Sequence, residues 1–179
     1  MNDTQNENGE TPLRLRALDA DDLQTIAACL QDALIPLSEI AFLKAERRFV
    51  MVANRFRWER GPAEATSAPA PTPTPATDAR FAERDEDEDG AAPYQRVNCG
   101  VCFDRVRAVR FKGLDVRRKS QILNLLTLQS RPDAITLVFA GGATIRLDVS
   151  AIRCHLEDLG EPWPTRWQPA HPAAEGDLS

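Results

Sequence analysis

The residues most suggestive of chemistry are Cys99 and Cys102, which form a C-x-x-C motif. A redox-active motif of this kind has one thiol at the N-terminus of a helix, where its pKa is lowered. The sequence around this pair instead resembles a strand, in which residues three apart point to opposite faces. We therefore expect ordinary buried or half-buried thiols.

Cys154 and His155 are the remaining residues that could complete a zinc site with this pair. Tetrahedral zinc normally uses two pairs of closely spaced ligands. Residues 150–160 are predicted to form a helix, and neighbours on a helix diverge by about 100°. His155 would then lie at the edge of the apolar stripe of the helix, and Cys154 would face away from that stripe. The sequence thus predicts neither a metal site nor another cofactor.

A basic cluster lies between positions 105 and 119, and Phe103 and Phe111 are interleaved with it in the sequence. The cluster consists of Arg105, Arg107, Arg110, Lys112, Arg117, Arg118 and Lys119. Basic residues interleaved with aromatic rings can follow a phosphate backbone and stack bases, which makes the cluster a candidate polyanion-binding site. The alternatives are a contact with the chain's own acidic run, residues 85–89, and a solvated strand face and loop.

Trp163 and Trp167 form a second candidate site, in a proline-rich segment near the C-terminus. Tryptophan is enriched at the energetic centres of protein interfaces, so this pair is a candidate for binding a partner. The alternative is that both rings cover an edge or a face of the sheet and complete the core.

Recognisable catalytic motifs are missing from the sequence. There is no glycine-rich phosphate loop, nucleophile elbow or paired-histidine metal motif, and one of the two histidines, His171, lies in the proline-rich tail. We predict no catalytic residues and favour a function other than catalysis. An enzyme whose site has no sequence signature stays open as an alternative.

Charge is distributed unevenly along the 179 residues of the chain. The formal net charge is −5, but residues 59–92 contribute −6 and residues 93–160 contribute +5. Residues 59–92 combine a Pro/Ala/Thr tract with an unbroken acidic run. Such a segment buries too little apolar surface to offset its ordering entropy, so we expect it to be disordered.

We expect a single α+β domain, residues 13–172, that is interrupted by the disordered loop 59–92. Both flanks of this loop resemble strands, so we place the loop within one sheet and not between two domains. Residues 1–12 and 173–179 are expected to be disordered tails. The polar, acidic start is unlike a signal peptide and no apolar run could span a bilayer. We therefore expect a soluble cytoplasmic protein without a membrane partner.

The elements that would position these residues begin with a strand over residues 13–18. Residues Asp19 to Asp22 resemble a capping arrangement, which predicts the start of a helix. This helix is expected to end at Pro36 and has one apolar stripe formed by Leu23, Ile26, Ala27, Leu30 and Leu34. Residues 48–58 predict a central strand. The apolar face switches within the next strand, which indicates a β-bulge or a break near Arg107. Residues 121–129 suit either a strand or a helix, and we favour the strand.

The C-terminal half predicts a β-hairpin over residues 134–149 followed by a capped helix over residues 150–160. Apolar residues face each other across the hairpin only if its loop has three residues or another odd number. A three-residue loop would pair Leu137 with Leu147. The fold class is therefore α+β: a mostly antiparallel sheet, curled or barrel-like, with two amphipathic helices, one after the first strand and one at the C-terminal end.

Six short blocks spread over both halves of the chain can be compared with known families. The blocks are LRLRALD (13–19), LQDA (30–33), RRF (47–49), NRFRWE (54–59), FDRV (103–106) and LEDLG (156–160). In this order and spacing they resemble a bacterial family, domain of unknown function family 2948. The resemblance implies a small cytoplasmic protein of α-proteobacterial type. It implies no activity, cofactor or catalytic residue.

The function that we expect is that of a non-catalytic protein-binding or adaptor module, because the linker and the tryptophan-containing tail suit contacts with another protein. The alternatives are a nucleic-acid or other polyanion-binding accessory protein and a small enzyme. Basic side chains gathered on one exposed surface would favour polyanion binding, and a pocket with converging Asp, Arg and His would favour the enzyme. An exposed apolar patch would favour the protein-binding module. The sequence leaves homo-oligomerisation open.

Overall fold

The structure, a computed structural model, describes residues 11–59 and 94–166. These residues form ten strands and one α-helix. In chain order the elements are β1 (Arg14–Ala17), α1 (Ala20–Cys29), β2 (Ala33–Pro36), β3 (Ile40–Leu43), β4 (Arg48–Phe56), β5 (Tyr94–Phe103), β6 (Val106–Lys112), β7 (Ile122–Arg131), β8 (Ala134–Phe139), β9 (Thr144–Val149) and β10 (Cys154–Thr165). The predicted mostly antiparallel α+β class is confirmed, but the predicted second helix is wrong.

All ten strands belong to one sheet, and every pairing among the described residues is antiparallel. The strand order is β1-β10-β5-β4-β2-β7-β8-β9-β6, and β3 pairs with β4 beside this path. The order ends at two different strands, β1 and β6, so the described residues form an open sheet and not the predicted curled or barrel-like one. Its edge strands include β1 and β6. Two of these strands, β2 and β10, were not predicted, because they lie where helical residues were expected.

The core lies on the inner face of this sheet, against α1. Along β4 buried residues alternate with half-buried ones, and Phe49 packs near Phe103 of β5 with ring centroids 6.2 Å apart. The predicted central position of β4 is confirmed, because this strand pairs with β5 on one side and with β2 and β3 on the other. Leu23, Ile26 and Ala27 of α1 are buried in the same core.

The helix α1 begins as the sequence predicts but ends early. The Asp19 side chain caps it by accepting a hydrogen bond, 2.9 Å long, from the backbone N–H three residues later. The helix ends at Cys29, well before the predicted end at Pro36. Asp32 then adopts a left-handed conformation with φ of 58°, and its N–H donates to the Leu125 carbonyl at 2.8 Å. Pairing with β4 and β7 thus converts the last predicted helical residues into β2.

The irregularity that the sequence indicates near Arg107 is present. The chain turns at Arg105, whose φ is 63°, and β6 begins at Val106. The pairing of β6 with β9 shifts in register between Val106 and Ala108, so Arg107 is the bulged residue.

The β8–β9 hairpin has the predicted parity but a different register. Leu137 lies opposite Ile145 and not opposite Leu147. The last paired residues before the turn are Val138 and Thr144, which leaves a five-residue loop. The loop length is odd, as predicted, because only an odd length brings the apolar sides of the two strands together.

The predicted C-terminal helix over residues 150–160 is wrong, because most of this segment belongs to β10. The strand inserts between β1 and β5 and alternates, with Cys154, Leu156 and Asp158 buried. The spacing of the apolar residues also fits a helical stripe, which is why a helix was expected. The third buried position is an aspartate whose partner, Arg55, lies on β4 and cannot be identified from local sequence.

Several predictions concern residues outside the described ranges. The predicted disordered segments 1–12, 59–92 and 173–179 lie outside them except at positions 11, 12 and 59. Trp167 and His171 also lie outside the described residues. Within residues 11–59 and 94–166, no helix is long and apolar enough to cross a membrane.

Candidate functional site

The predicted basic cluster lies at one edge of the sheet. Its first members occupy the turn before β6 and β6 itself, and its last three occupy the loop between β6 and β7. All seven side chains are exposed, namely Arg105, Arg107, Arg110, Lys112, Arg117, Arg118 and Lys119. We call these residues the basic edge. The two aromatic rings interleaved with them in sequence do not join them, because Phe103 is buried and Phe111 points to the inner face of the sheet.

One carboxylate organises the arginines on the outer face of the basic edge. Asp148 on β9 forms ion pairs with Arg110 Nη2 and with Arg146 Nε, each at 2.9 Å. The hydrogen bond from Arg146 has the largest effect on the pKa of Asp148 and lowers it. Burial opposes this effect, the charges of Arg110, Arg146 and Arg107 add to it, and the net result is a lowered pKa. Arg110 and Arg146 are opposite each other on β6 and β9, so the site keeps an excess of positive charge. Arg146 was missed by the sequence reading because its position depends on a pairing that is not local.

The start of β6 is fixed by the fold. The Val106 N–H donates to the Arg47 carbonyl at 2.8 Å, and Arg107 Nη2 donates to the Val149 carbonyl at 2.9 Å. Arg107 therefore has a structural contact. The part of β6 available to a partner is the stretch beyond the bulge.

Beyond the bulge, β6 has a free backbone edge. It pairs with β9 on one side, and no other strand of the described residues pairs with it. Arg110 and Lys112 lie on its outer face, whereas Phe111 lies on the inner face opposite Ile145 and is still 43% exposed. An edge strand has N–H and C=O groups that no neighbouring strand uses. A segment beside β6 would therefore meet positive charge on one face and an apolar ring on the other.

A second ionic site, which the sequence reading missed, is buried between β4 and β10. The Arg55 side chain is fully buried and donates from Nε to Asp158 Oδ1 at 2.8 Å and from Nη2 to Asp158 Oδ2 at 2.7 Å. It also donates from Nη1 to Glu59 Oε2 at 3.1 Å and from Nη2 to Glu59 Oε1 at 2.8 Å. We call these three residues the buried ion network. The backbone of Leu13 adds to it, because its N–H donates to Asp158 Oδ2 at 3.3 Å.

The pKa shifts in this network favour the charged forms. Burial by itself would lower the pKa of Arg55, but the hydrogen bonds and charges of Asp158 and Glu59 outweigh it and raise that pKa. Burial would raise the pKa of Glu59, but the hydrogen bond from Arg55, a backbone hydrogen bond and the charges of Arg55 and Arg57 lower it. Groups that are held charged in this way suit a structural role better than proton transfer near neutral pH.

Comparison with sequence families identifies the relatives of this chain. The family model DUF2948, described as "Protein of unknown function", matches residues 13–171. The chain belongs to this family. Comparisons with curated proteins and with solved structures give no match.

The DUF2948 blocks found in the sequence contact one another in the fold. The RRF and FDRV blocks are joined by the ion pair of Arg48 Nε with Asp104 Oδ1 at 2.8 Å. The buried ion network joins NRFRWE to LEDLG, and the hydrogen bond from Leu13 joins LRLRALD to the same LEDLG block. The blocks that carry the family resemblance therefore hold together β1, β4, β5 and β10, and the free part of β6 lies outside them.

The C-x-x-C cysteines lie on opposite faces of β5. Cys99 is buried on the inner face and Cys102 is half-buried on the outer face. Burial raises the pKa of Cys99 to about 12, and burial together with the Asp104 charge raises the pKa of Cys102. Activation of a redox thiol requires the opposite shift.

Cys154 and His155 are neighbours on β10 and point to opposite faces. Cys154 is fully buried, which corrects the expectation that it faces away from the buried side, and burial raises its pKa. His155 lies on the outer face with Nε2 3.5 Å from Asp104 Oδ2. Among the residues that the structure describes, no group of three or more His, Cys, Asp or Glu side chains is arranged to hold a metal ion.

Trp163 is half-buried on β10, where it lies opposite Arg96 of β5. Trp167 lies outside the described residues, so the predicted tryptophan pair is represented by Trp163 alone.

A small cleft adjoins the buried ion network. Arg57, Val97 and Asp158 contribute to its lining, and its volume is about 20 Å³, space for about one water molecule. The lining of this cleft contains no histidine, so the cleft differs from the pocket of converging Asp, Arg and His that would favour the enzyme alternative.

Proposed function

We propose that this protein is a non-catalytic protein-binding module that binds an extended segment of alternating acidic and apolar residues along β6. The observation that carries the proposal is the free edge of β6, which has basic side chains on one face and an exposed aromatic ring on the other. Strand addition of this kind derives affinity from main-chain hydrogen bonds and specificity from alternate side chains. The family resemblance suggests a bacterial cytoplasmic setting, which we include in the proposal.

The alternation of the partner follows from strand geometry. Side chains along a strand added to β6 would point alternately to the outer and inner faces of the sheet, and the strand would lie about 4.8 Å away. On the outer face they would meet Arg110 and Lys112, which favour carboxylates. On the inner face they would meet the exposed part of Phe111, which favours an apolar side chain.

The shortage of carboxylates at the edge supports an acidic partner. Arg110 and Arg146 share Asp148 and hold their guanidinium groups on the outer face. Lys112 adds another positive charge on that face of β6. Complementary charge of this kind accelerates encounter and selects against basic partners.

Binding to single-stranded nucleic acid fits the same edge less well. Such binding combines phosphate contacts with aromatic rings on which bases stack. Here Phe111 points to the face opposite Arg110 and Lys112, and Phe103 is buried. The basic side chains of β6 thus lack the adjacent stacking surface.

The test is fluorescence polarisation of the full chain with a labelled decapeptide in which aspartate alternates with valine. Two further probes separate the mechanisms: the same peptide with alternate backbone amides N-methylated, and a single-stranded RNA of equal length. The test variant is Arg110→Gln/Lys112→Gln. The matched control is Arg14→Gln/Arg16→Gln, which removes two exposed arginines from β1, the opposite edge strand.

We expect the parent chain to bind the unmodified peptide. The Arg110→Gln/Lys112→Gln variant should bind it more weakly, whereas the Arg14→Gln/Arg16→Gln control should bind it as the parent chain does. N-methylation should also weaken it, because a blocked amide cannot join the β6 ladder. Equal binding of the methylated and unmodified peptides would reduce the interaction to charge attraction and contradict strand addition. Preference for the RNA would replace the proposal with the polyanion alternative.

A further inference from the structure

A group of aromatic side chains lies on the outer face of the sheet at the ends of β4, β5 and β10, away from the basic edge. Phe56 is buried beneath this group, with its ring centroid 4.5 Å from that of Trp58 and 5.4 Å from that of Tyr94. The Arg96 guanidinium lies 5.8 Å from the centre of the Phe56 ring, and Trp163 is the cross-strand partner of Arg96. We call Trp58, Tyr94, Arg96 and Trp163 the aromatic surface.

Hydrogen bonds hold two members of the aromatic surface in place. Trp58 Nε1 donates to the Gln31 carbonyl at 3.2 Å. Arg96 Nη1 donates to the Asn54 carbonyl at 3.3 Å and to Asn54 Oδ1 at 3.0 Å. The three aromatic rings of the surface are nevertheless only half-buried. A fixed, partly exposed aromatic surface can bind a ligand at a small cost in side-chain ordering.

The position of this surface along the chain points to its occupant. Trp58 is next to the last residue of the first described range and Tyr94 is the first residue of the second, so both points at which residues 60–93 join the described chain adjoin this surface. Within that segment, residues 66–77 are rich in proline, and from position 69 to position 75 every second residue is a proline, namely Pro69, Pro71, Pro73 and Pro75.

The chemistry of the two parts is complementary. Sequences rich in proline favour the polyproline II conformation, in which the backbone is extended and its ordering entropy is already reduced. Grooves lined by aromatic side chains are the surfaces that bind such segments. Tyr94 and Trp163 provide rings of this type on the neighbouring strands β5 and β10, and Trp58 provides a third just after the end of β4.

We propose that the aromatic surface is the docking site of the chain's own proline-rich segment, residues 66–77. The ten residues from Arg60 to Pro69 can span about 30 Å, enough for the segment to turn back to Trp58. Tethering gives the segment an effective concentration of about 1 mM at the surface. The proposal is independent of partner binding at β6, which uses other residues.

The test measures acrylamide quenching of tryptophan fluorescence in the full chain carrying Trp167→Phe, in which the fluorescence comes from Trp58 and Trp163. The test variant replaces the four prolines: Pro69→Ala, Pro71→Ala, Pro73→Ala and Pro75→Ala. The matched control replaces four threonines of the same segment: Thr66→Ala, Thr72→Ala, Thr74→Ala and Thr77→Ala. Neither set touches a described contact, so the fold should be retained in both.

We expect greater quenching in the proline variant and unchanged quenching in the threonine control. A synthetic peptide of residues 66–77 should bind the proline variant with a Kd of about 1 mM or less and reverse its increase in quenching. The parent chain should respond little to the same peptide, because its surface is already occupied.

Three results would overturn the proposal. Equal quenching in the proline variant and the parent chain would mean that the prolines do not cover the tryptophans. A peptide Kd far above about 1 mM would leave the surface empty in the tethered chain. Quenching of the parent chain that falls with increasing protein concentration would assign the docking to a second copy.

Discussion

The buried ion network and the basic edge use the same Arg–Asp chemistry in opposite environments. The closest approach is 2.7 Å between Arg55 and Asp158 and 2.9 Å between Arg110 and Asp148. The Arg55 side chain is 0% exposed, whereas that of Arg110 is 71% exposed. In the network two carboxylates bind one arginine, but at the edge one carboxylate binds two arginines.

This difference in carboxylate supply separates a structural site from a candidate binding site. A buried charge is costly unless its hydrogen-bonding groups are paired, and Arg55 meets that requirement with Asp158 and Glu59. An exposed ion pair contributes little to stability, so the excess positive charge around Asp148 is free to serve recognition. The number of carboxylates per arginine at a site therefore indicates its role better than the presence of ion pairs does.

Breaking the buried network from one side should have the largest effect. Asp158→Leu leaves Arg55 buried with only Glu59 as its charged partner, and we expect a loss of about 3–5 kcal/mol in the free energy of unfolding. Urea denaturation followed by circular dichroism measures this. A loss comparable to that of an exposed ion pair would show that water replaces Asp158 at no cost.

Removing both buried charges should be less damaging than removing one. We expect Arg55→Met/Asp158→Leu to be more stable than Asp158→Leu alone, by about 3–5 kcal/mol, because the double variant no longer buries the Arg55 charge without Asp158. The same urea experiment measures this, and the Arg55→Met single variant completes the double-mutant cycle. A double variant less stable than either single variant would mean that packing at this site requires the ions.

Glu59 is intermediate between the two environments, because it belongs to the buried ion network but its side chain is 40% exposed. Its pKa in the folded chain is lowered below the ordinary value of 4.5, so its contribution is present above 4.5 and disappears as the pH falls through the folded pKa. Solvent screening limits this contribution to less than about 1 kcal/mol. The stability difference between the parent chain and Glu59→Gln should therefore shrink from about pH 7 to about pH 3. A difference that stays constant over this range would show that the carboxylate charge does not contribute.

The exposed pair should show the smallest effect on stability. Arg110→Gln should change the free energy of unfolding by less than about 0.5 kcal/mol, yet weaken binding of the acidic peptide. Arg14→Gln is the matched control, since Arg14 is 72% exposed and binds Glu157 at 2.9 Å on the other edge of the sheet. It should have the same small effect on stability and none on peptide binding. A large loss of stability in Arg110→Gln would make the basic edge a structural site.

Local sequence was a good guide wherever neighbouring residues decide the structure. The capping aspartate Asp19, the irregularity at Arg107 and the parity of the β8–β9 hairpin were all predicted, because they depend on residues close in the chain. The predicted helices failed where distant strands compete. At β2 and β10, pairing with strands on both sides stabilises an extended backbone more than helical periodicity stabilises a helix.

The candidate site divides in the same way. The basic residues of the cluster could be read directly from the sequence, but Arg146 and Asp148 join them only through the pairing of β6 with β9. The free edge of β6 was also invisible, since an edge is defined by the position of every other strand. The buried ion network required Arg55 and Asp158, which are 103 residues apart, to meet across β4, β5 and β10.

The sequence by itself determined the family, the mostly antiparallel α+β class and the segment that contains the exposed positive charge. These properties follow from composition, local alternation and short blocks of residues. Only the tertiary structure decided which charges are buried, which strand forms the free edge and which faces its side chains occupy. Those outcomes depend on strand order, and strand order is set by contacts between residues far apart in the chain.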